Sequence, residues 1–181
     1  MKVYVFLADG FELVEAMCPI DLLRRAGVEV VTVSLREDGR ASSAQGVTVL
    51  ADTTLSALTD QLPDMVLLPG GMPGADNLRQ SSEVCHITKE VAARGGFVAA
   101  ICAAPYVLGE LGLLQGKEAT CYPGFESHLL GATISQRKVV TDGHVITAAG
   151  MGVALPFAAE LVTALFGRHK ADAILRIIQT Q

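Results

Sequence analysis

The eight residues Val98-Ala-Ala-Ile-Cys102-Ala-Ala-Pro105 decide the fold class of this chain. The first four of these residues belong to a short apolar run, residues 97–101, which is typical of a buried strand. A helical stretch, residues 103–114, follows almost at once, and the alanines around the cysteine let the backbone turn sharply. The segment therefore predicts a strand that passes through Cys102 directly into a helix.

The same alternation of apolar run, turn and helix extends in both directions from this segment. The predicted strands are residues 3–8, 28–35, 47–50, 65–68 and 97–101. The predicted helices are residues 13–26, 82–94, 103–114, 153–166 and 170–178. Two further short runs flank Thr141-Asp-Gly-His144, a sequence typical of a hairpin turn. Apolar strands separated by helices predict a mainly parallel α/β sheet covered on both faces.

Length and composition limit the remaining classes. The 181 residues suit one domain, 1–181, and half of them are hydrophobic, which excludes a disordered chain. A net charge of -5 with scattered basic residues argues against specific nucleic-acid binding. The longest uncharged stretch, residues 143–159, is interrupted by glycines and a proline, so no membrane span is expected. With no leader pattern at the first residues, we expect a soluble, cytoplasmic protein.

Three loops follow predicted strands or begin the helices beside them: residues 9–15, 69–74 and 102–105. In parallel sheets, ligand sites form outside the carboxyl ends of the strands, so we expect these loops to meet. Backbone N–H groups and the dipole of the helix after Cys102 would favour its thiolate and lower its pKa. Cys102 could equally be a small core residue, the commonest role of a free cysteine.

Two other features of these loops suit a reactive thiol. Pro69-Gly70-Gly71 lets backbone N–H groups approach a ligand closely, as an oxyanion site requires, although the same loop could be a plain turn. Glu15 lies between apolar neighbours on the first helix, where burial would raise the pKa of its carboxyl group. Glu15 is therefore a candidate hydrogen-bond partner for Cys102.

The order of these motifs resembles the ThiJ/PfpI superfamily and, within it, the DJ-1/YajL branch. The matching segments are Ala8-Asp-Gly-Phe-Glu-Leu-Val-Glu15, Pro19-Ile-Asp-Leu-Leu-Arg-Arg-Ala-Gly27, Leu68-Pro-Gly-Gly71, Gly74-Ala-Asp-Asn-Leu78, Ala99-Ala-Ile-Cys-Ala-Ala-Pro105 and Thr147-Ala-Ala-Gly-Met-Gly152. The resemblance covers essentially the whole chain. It implies a flavodoxin-like three-layer sandwich and a homodimer built in part through the first helix.

The resemblance also implies roles for individual residues. Cys102 would be the nucleophile and redox-sensitive thiol, and Glu15 its protonated carboxyl partner. The backbone N–H groups of Gly71 and Ala103, with Gly70 beside them, would line the oxyanion site. A substrate pocket would include Tyr122, Pro123 and Gly150. No metal or cofactor is implied.

The chain departs from the family pattern at two positions. Tyr122 stands where many relatives have a histidine, and a phenol is a poor base near neutral pH. Ala103 follows the cysteine where the protease-like branch has histidine, which argues against proteolysis. The four histidines are expected at the surface, and Cys18, Cys85 and Cys121 in packing roles.

Two functions remain open on this basis. One is a glutathione-independent glyoxalase or deglycase that uses Cys102 on small reactive carbonyl compounds or their protein adducts. The other is a protein of oxidative-stress protection or a chaperone, in which Cys102 oxidises without obligatory turnover. A flavin carrier of flavodoxin type is disfavoured, because Asp9, Glu12 and Glu15 would repel a phosphate group.

Overall fold

The computed structural model describes residues 1–59 and 61–180, so residue 181, the predicted end of the domain, lies outside it. The strands in this part of the chain are β1 (Lys2–Leu7), β2 (Glu29–Ser34), β3 (Arg40–Ser42), β4 (Thr48–Leu50), β5 (Thr53–Thr54), β6 (Met65–Leu68), β7 (Phe97–Ile101), β8 (Glu118–Ala119), β9 (Thr133–Ile134), β10 (Val139–Asp142) and β11 (Val145–Ala148). The helices are α1 (Leu13–Arg25), α2 (Gly74–Gln80), α3 (Ser82–Ala93), α4 (Pro105–Glu110), α5 (Ala154–Phe166) and α6 (Arg168–Ile177).

Seven strands form the central sheet, in the order β10-β11-β7-β6-β1-β2-β5. Only β10, at one edge, runs antiparallel to its neighbour, as the hairpin signal predicted. The chain builds β1, β2 and β5 in one direction and then returns to place β6, β7 and β11 on the other side of β1. The strand order therefore reverses between β1 and β6, where ligand sites of such sheets are found. The mainly parallel α/β sandwich is confirmed.

Each strand supplies the core on both faces of the sheet. In β1, the side chains of Val3, Val5 and Leu7 pack on the face covered by α1, α5 and α6, while Tyr4 and Phe6 pack on the opposite face. This alternation follows from the two-residue period of a strand. Because both faces are covered, the strands are continuously apolar, which is why their positions were predictable from the sequence.

Two predicted elements differ from the structure, and one helix was not predicted. Residues 47–50 form part of a separate antiparallel hairpin, β3 with β4, and not a strand of the main sheet. The helix predicted for residues 103–114 is reduced to Pro105–Glu110, since Gly112 adopts a positive φ of 76° and ends it. The short helix α2 was not among the predicted helices.

No helix in residues 1–59 and 61–180 has the length and apolar character needed to cross a bilayer.

Candidate functional site

Cys102 occupies a strained turn between β7 and α4. Its φ of 64° lies in the left-handed region, which non-glycine residues rarely adopt and which costs about 1–3 kcal/mol. Two hydrogen bonds hold this backbone: the Cys102 N–H donates to the carbonyl of Ala148 at 2.8 Å, and the Tyr122 N–H donates to the carbonyl of Cys102 at 2.7 Å. The sharp turn projects the thiol from the sheet edge, in the manner of a nucleophile elbow.

Glu15 brings a buried carboxyl group to this thiol. Its side chain is 1% exposed, and Oε2 accepts a hydrogen bond from the Gly70 N–H at 3.0 Å. The Cys102 side chain and the backbone of Met151 also lie close enough to the carboxyl group to lower its pKa. Burial outweighs these contacts and the bond from Gly70, and it raises the pKa of Glu15 to about 7, because the charged form loses its hydration.

Gly70 permits the close approach of the cysteine and the carboxyl group. A Cβ atom at this position would lie 2.6 Å from both Cys102 Cβ and Glu15 Oε2, closer than van der Waals contact allows. The next residue, Gly71, has a φ of 86° and directs its N–H at the Cys102 thiol, as does Ala103 from the other side. The backbone therefore offers two hydrogen-bond donors near the sulfur atom.

The structure corrects the role expected of Gly70. Its N–H is already donated to Glu15, so it orients the carboxyl group instead of lining the oxyanion site. Gly71 and Ala103 are the residues whose N–H groups face the sulfur.

The expected lowering of the Cys102 pKa is also wrong. Burial first, and then the neighbouring Glu15, raise the pKa of the Cys102 thiol to about 12, against the smaller effect of the Gly71 and Ala103 N–H groups. The dipole of helix α4 lowers the thiol pKa little, because the helix starts only at Pro105 and has six residues. Near neutral pH the thiol therefore keeps its proton, and Glu15 is the group poised to accept one.

The predicted pocket residues are only partly brought together. The ring of Tyr122 flanks Gly150: a Cβ atom on Gly150 would lie 3.3 Å from Tyr122 Cδ2 and 3.9 Å from the Cys102 sulfur. Pro123 is exposed in the turn after Tyr122. Met151 was missed by the sequence reasoning, because its backbone carries the contact with Glu15; the matching segment at residues 147–152 was the available signal.

The remaining candidates are the histidines and the other three cysteines. All four histidines are exposed, as predicted. Cys121 is buried, and Cys18 and Cys85 are half-buried. A surface cavity of about 580 Å³ between β10, α5 and α6 is lined by residues such as Thr141, Glu160 and Arg168, and none of the residues that contact the Cys102 thiol lines it. The candidate site is therefore identified by its chemistry and not by the size of a cavity.

These features define a class: flavodoxin-like α/β proteins that carry a cysteine at a strand-to-helix elbow beside a buried carboxyl group. A sequence profile of the DJ-1/PfpI family matches residues 1–164. The chain belongs to the DJ-1/PfpI family.

Individual relatives agree with this assignment. The chain is 37% identical over 179 residues to Protein DJ-1 homolog A of Arabidopsis thaliana, covering 97% of this chain but 46% of that protein, so it spans about half the length of this relative. It is 31% identical over 149 residues to a Pyrococcus abyssi protein named a deglycase, covering 81% of this chain and 89% of the relative. The structure of oxidised Toxoplasma gondii DJ-1 superposes with a TM-score of 0.94 at 36% identity, covering 98% of this chain and 97% of that one.

The raised pKa of Glu15 predicts a pH-dependent stability. Its folded pKa of about 7 lies above the ordinary value of 4.5, so the folded state binds the extra proton between these values. The contribution of Glu15 to the free energy of unfolding should therefore be fully present below pH 4.5 and fall by roughly 3 kcal/mol as the pH rises through 7. Glu15→Gln should lack this loss, because its amide is neutral throughout.

Urea unfolding at pH 4.5, 6 and 7.5 measures this difference. Other carboxyl groups contribute equally to both proteins and cancel in the comparison. Glu90→Gln, at an exposed position on α3, is the control and should follow the unmodified protein. Parallel pH profiles for Glu15→Gln and the unmodified protein would mean that Glu15 is not held protonated by burial.

Proposed function

We propose that this protein is a cysteine-dependent enzyme that acts on reactive 2-oxoaldehydes or on their adducts with proteins. The observation that carries the proposal is the position of the Cys102 thiol beside Glu15, a buried carboxyl group whose pKa is raised to about 7. A group with this pKa can accept and return a proton near neutral pH. The Pyrococcus abyssi relative named a deglycase supports the same chemistry.

The first step is addition of the thiol to the aldehyde carbon. The Cys102 sulfur forms a bond to carbon as its proton passes to the Glu15 carboxylate, and the aldehyde oxygen becomes an alkoxide. The N–H groups of Gly71 and Ala103, which face the sulfur, stabilise that oxygen. Proton return to the oxygen completes a hemithioacetal, with no change in oxidation state.

The second step moves a proton between the two carbons of the substrate. Glu15 removes the proton from the carbon bonded to sulfur and returns it to the former ketone carbon, while the hydroxyl proton of the hemithioacetal passes to the ketone oxygen. The product is a thioester of a 2-hydroxy acid. Water then hydrolyses the thioester and restores the thiol. Methylglyoxal and water together give lactate, so the atoms balance without an oxidant or reductant.

Lactate formation from methylglyoxal without glutathione tests this proposal. Cys102→Ser should lower kcat/KM at least 100-fold, because a hydroxyl group is a weaker nucleophile than a thiol. Glu15→Gln should lower it about 100-fold or more, the usual contribution of a general base. Cys85→Ser, a half-buried cysteine on α3, is the control and should retain full activity.

The outcomes separate the roles of the two residues. Full activity in Glu15→Gln would remove the proton-transfer role, and full activity in Cys102→Ser would remove the enzyme mechanism altogether. If the unmodified protein forms no lactate from methylglyoxal, the second function, based on oxidation, becomes the better explanation.

The second function is redox-responsive protection, for which the oxidised Toxoplasma gondii relative is the favouring observation. Two molecules of peroxide would oxidise the Cys102 thiol to a sulfinate and leave two molecules of water. A protonated Glu15 can donate a hydrogen bond to that anion. Intact-mass and peptide analysis after mild peroxide should locate an increase of about 32 Da on Cys102. Equal oxidation of all four cysteines would count against this function.

The protein is further proposed to form a homodimer through α1. Val14 on α1 is 43% exposed, and Val47 in the β3–β4 turn is 45% exposed. The hairpin is hydrogen-bonded to the loop before α1, through the Gly10 N–H and the carbonyl of Ser42, so the hairpin adjoins the start of α1. Burial of such a patch against a second copy would remove it from water.

Sedimentation tests the dimer directly. The unmodified protein should sediment at about twice the 19.0 kDa of one chain, and Val14→Asp should shift it to the monomer. Leu130→Asp, at another exposed apolar position, should leave the dimer intact. A monomeric unmodified protein would contradict the proposal.

The chain is also proposed to fold as one domain over residues 1–181 and to work in the cytoplasm. The first proposal is supported by one central sheet whose two faces carry the two clusters of core residues.

A further inference from the structure

The segments around the Cys102 thiol contain no lysine, arginine or histidine. Cys102, Glu15 and the residues described above as their neighbours lie in five segments: residues 8–16, 69–75, 100–106, 119–125 and 148–152. They carry three carboxyl groups, those of Asp9, Glu12 and Glu15. Arg36 reaches Asp9 at 3.3 Å, but it is shared with Asp38 at 2.6 Å. An anionic substrate would therefore meet like charge at the thiol and no free cation on these segments.

Three exposed apolar side chains surround the same thiol and are called here the apolar rim: Met72, Tyr122 and Met151, which are 44%, 51% and 53% exposed. The backbone near each of them contacts the site. Met72 follows Gly71, whose N–H faces the thiol, and the backbone of Met151 lies close to the Glu15 carboxyl group. The Tyr122 N–H binds the carbonyl of Cys102 at 2.7 Å. The rim is thus fixed to the site by the backbone.

Tyr122 is the rim side chain that the distances at Gly150 place near the sulfur. The space that a Cβ atom on Gly150 would fill lies 3.3 Å from the edge of the Tyr122 ring and 3.9 Å from the Cys102 sulfur. Gly150 leaves that space open. A group attached to the carbon next to the reacting aldehyde would extend from the sulfur past Gly150 toward the aromatic ring.

We propose that the apolar rim makes the site selective for uncharged 2-oxoaldehydes that carry an aromatic or bulky alkyl group on the ketone carbon, with Tyr122 as the main specificity-determining side chain. This inference rests on the proposed 2-oxoaldehyde activity. An aromatic substituent gains contact with the Tyr122 ring, whereas the methyl group of methylglyoxal is too small to reach it. Aromatic contacts of this kind change relative rates about 3- to 10-fold.

The test compares kcat/KM for phenylglyoxal and for methylglyoxal in four proteins: the unmodified protein, Tyr122→Phe, Tyr122→Ala and Leu130→Ala. The ratio of the two values should fall about 3- to 10-fold in Tyr122→Ala, mainly through a higher KM for phenylglyoxal. It should be preserved in Tyr122→Phe, which keeps the ring, and in Leu130→Ala, an exposed apolar position outside the rim. All four proteins have the same arginines, so arginine modification by phenylglyoxal cancels from the comparison.

4-Carboxyphenylglyoxal, which keeps the aldehyde and ketone of phenylglyoxal and adds a carboxylate, provides the charge test; the unmodified protein should consume it about 10-fold or more slowly than phenylglyoxal. An unchanged ratio in Tyr122→Ala, an equal fall in Tyr122→Phe, or equal rates for the carboxylated and the uncharged compound would overturn the specificity proposal while leaving the enzyme activity intact. Absence of turnover with every substrate in the unmodified protein would remove the proposed function and this inference together.

Discussion

The contact of Gly70 with Cys102 and Glu15 is the constraint on which the site depends. Without a side chain at Gly70, the Cys102 Cβ atom and the Glu15 carboxyl group approach the same point of the backbone. In the parallel register of β6 and β7, Leu68 is opposite Ala100, so the loops that follow these two strands begin next to each other at the edge of the sheet. Helix α1 carries the Glu15 carboxyl group to the same place. The position of the thiol beside its proton acceptor therefore depends on Gly70, on the register of β6 and β7, and on α1.

The burial that creates the site also determines its electrostatics. A carboxyl group with 1% of its surface exposed is costly to ionise, and a neighbouring carboxylate makes the thiol costly to ionise as well. The pair therefore holds its protons more tightly than either group would in water. When the sulfur bonds to an electron-accepting substrate, the thiol proton passes to Glu15 and no buried thiolate has to form. The same arrangement suits an aldehyde or an oxidant, which explains why the two functions share their residues.

Much of the fold followed from local patterns. The strands β6 and β7 were predicted to the residue, since four or five apolar side chains between glycines and prolines have few other structures open to them. The sequence predicted a strand at residues 47–50 but not the strand with which it pairs. In the structure this strand pairs with β3, because the main sheet already ends at the short strand β5. The helix after Cys102 was overestimated, because the positive φ of Gly112 is a tertiary outcome that glycine permits but does not require.

The amino-acid sequence by itself determined the layers of the sandwich, the elbow at Cys102 and the three loops that would meet, because strand and turn patterns depend on neighbouring residues. It also placed Glu15 in an apolar context. Only the tertiary structure decided the direction of the Cys102 pKa, the partner of the Gly70 N–H and the position of the Tyr122 ring beside Gly150. Those properties depend on desolvation and on distances between segments tens of residues apart, which no local pattern contains.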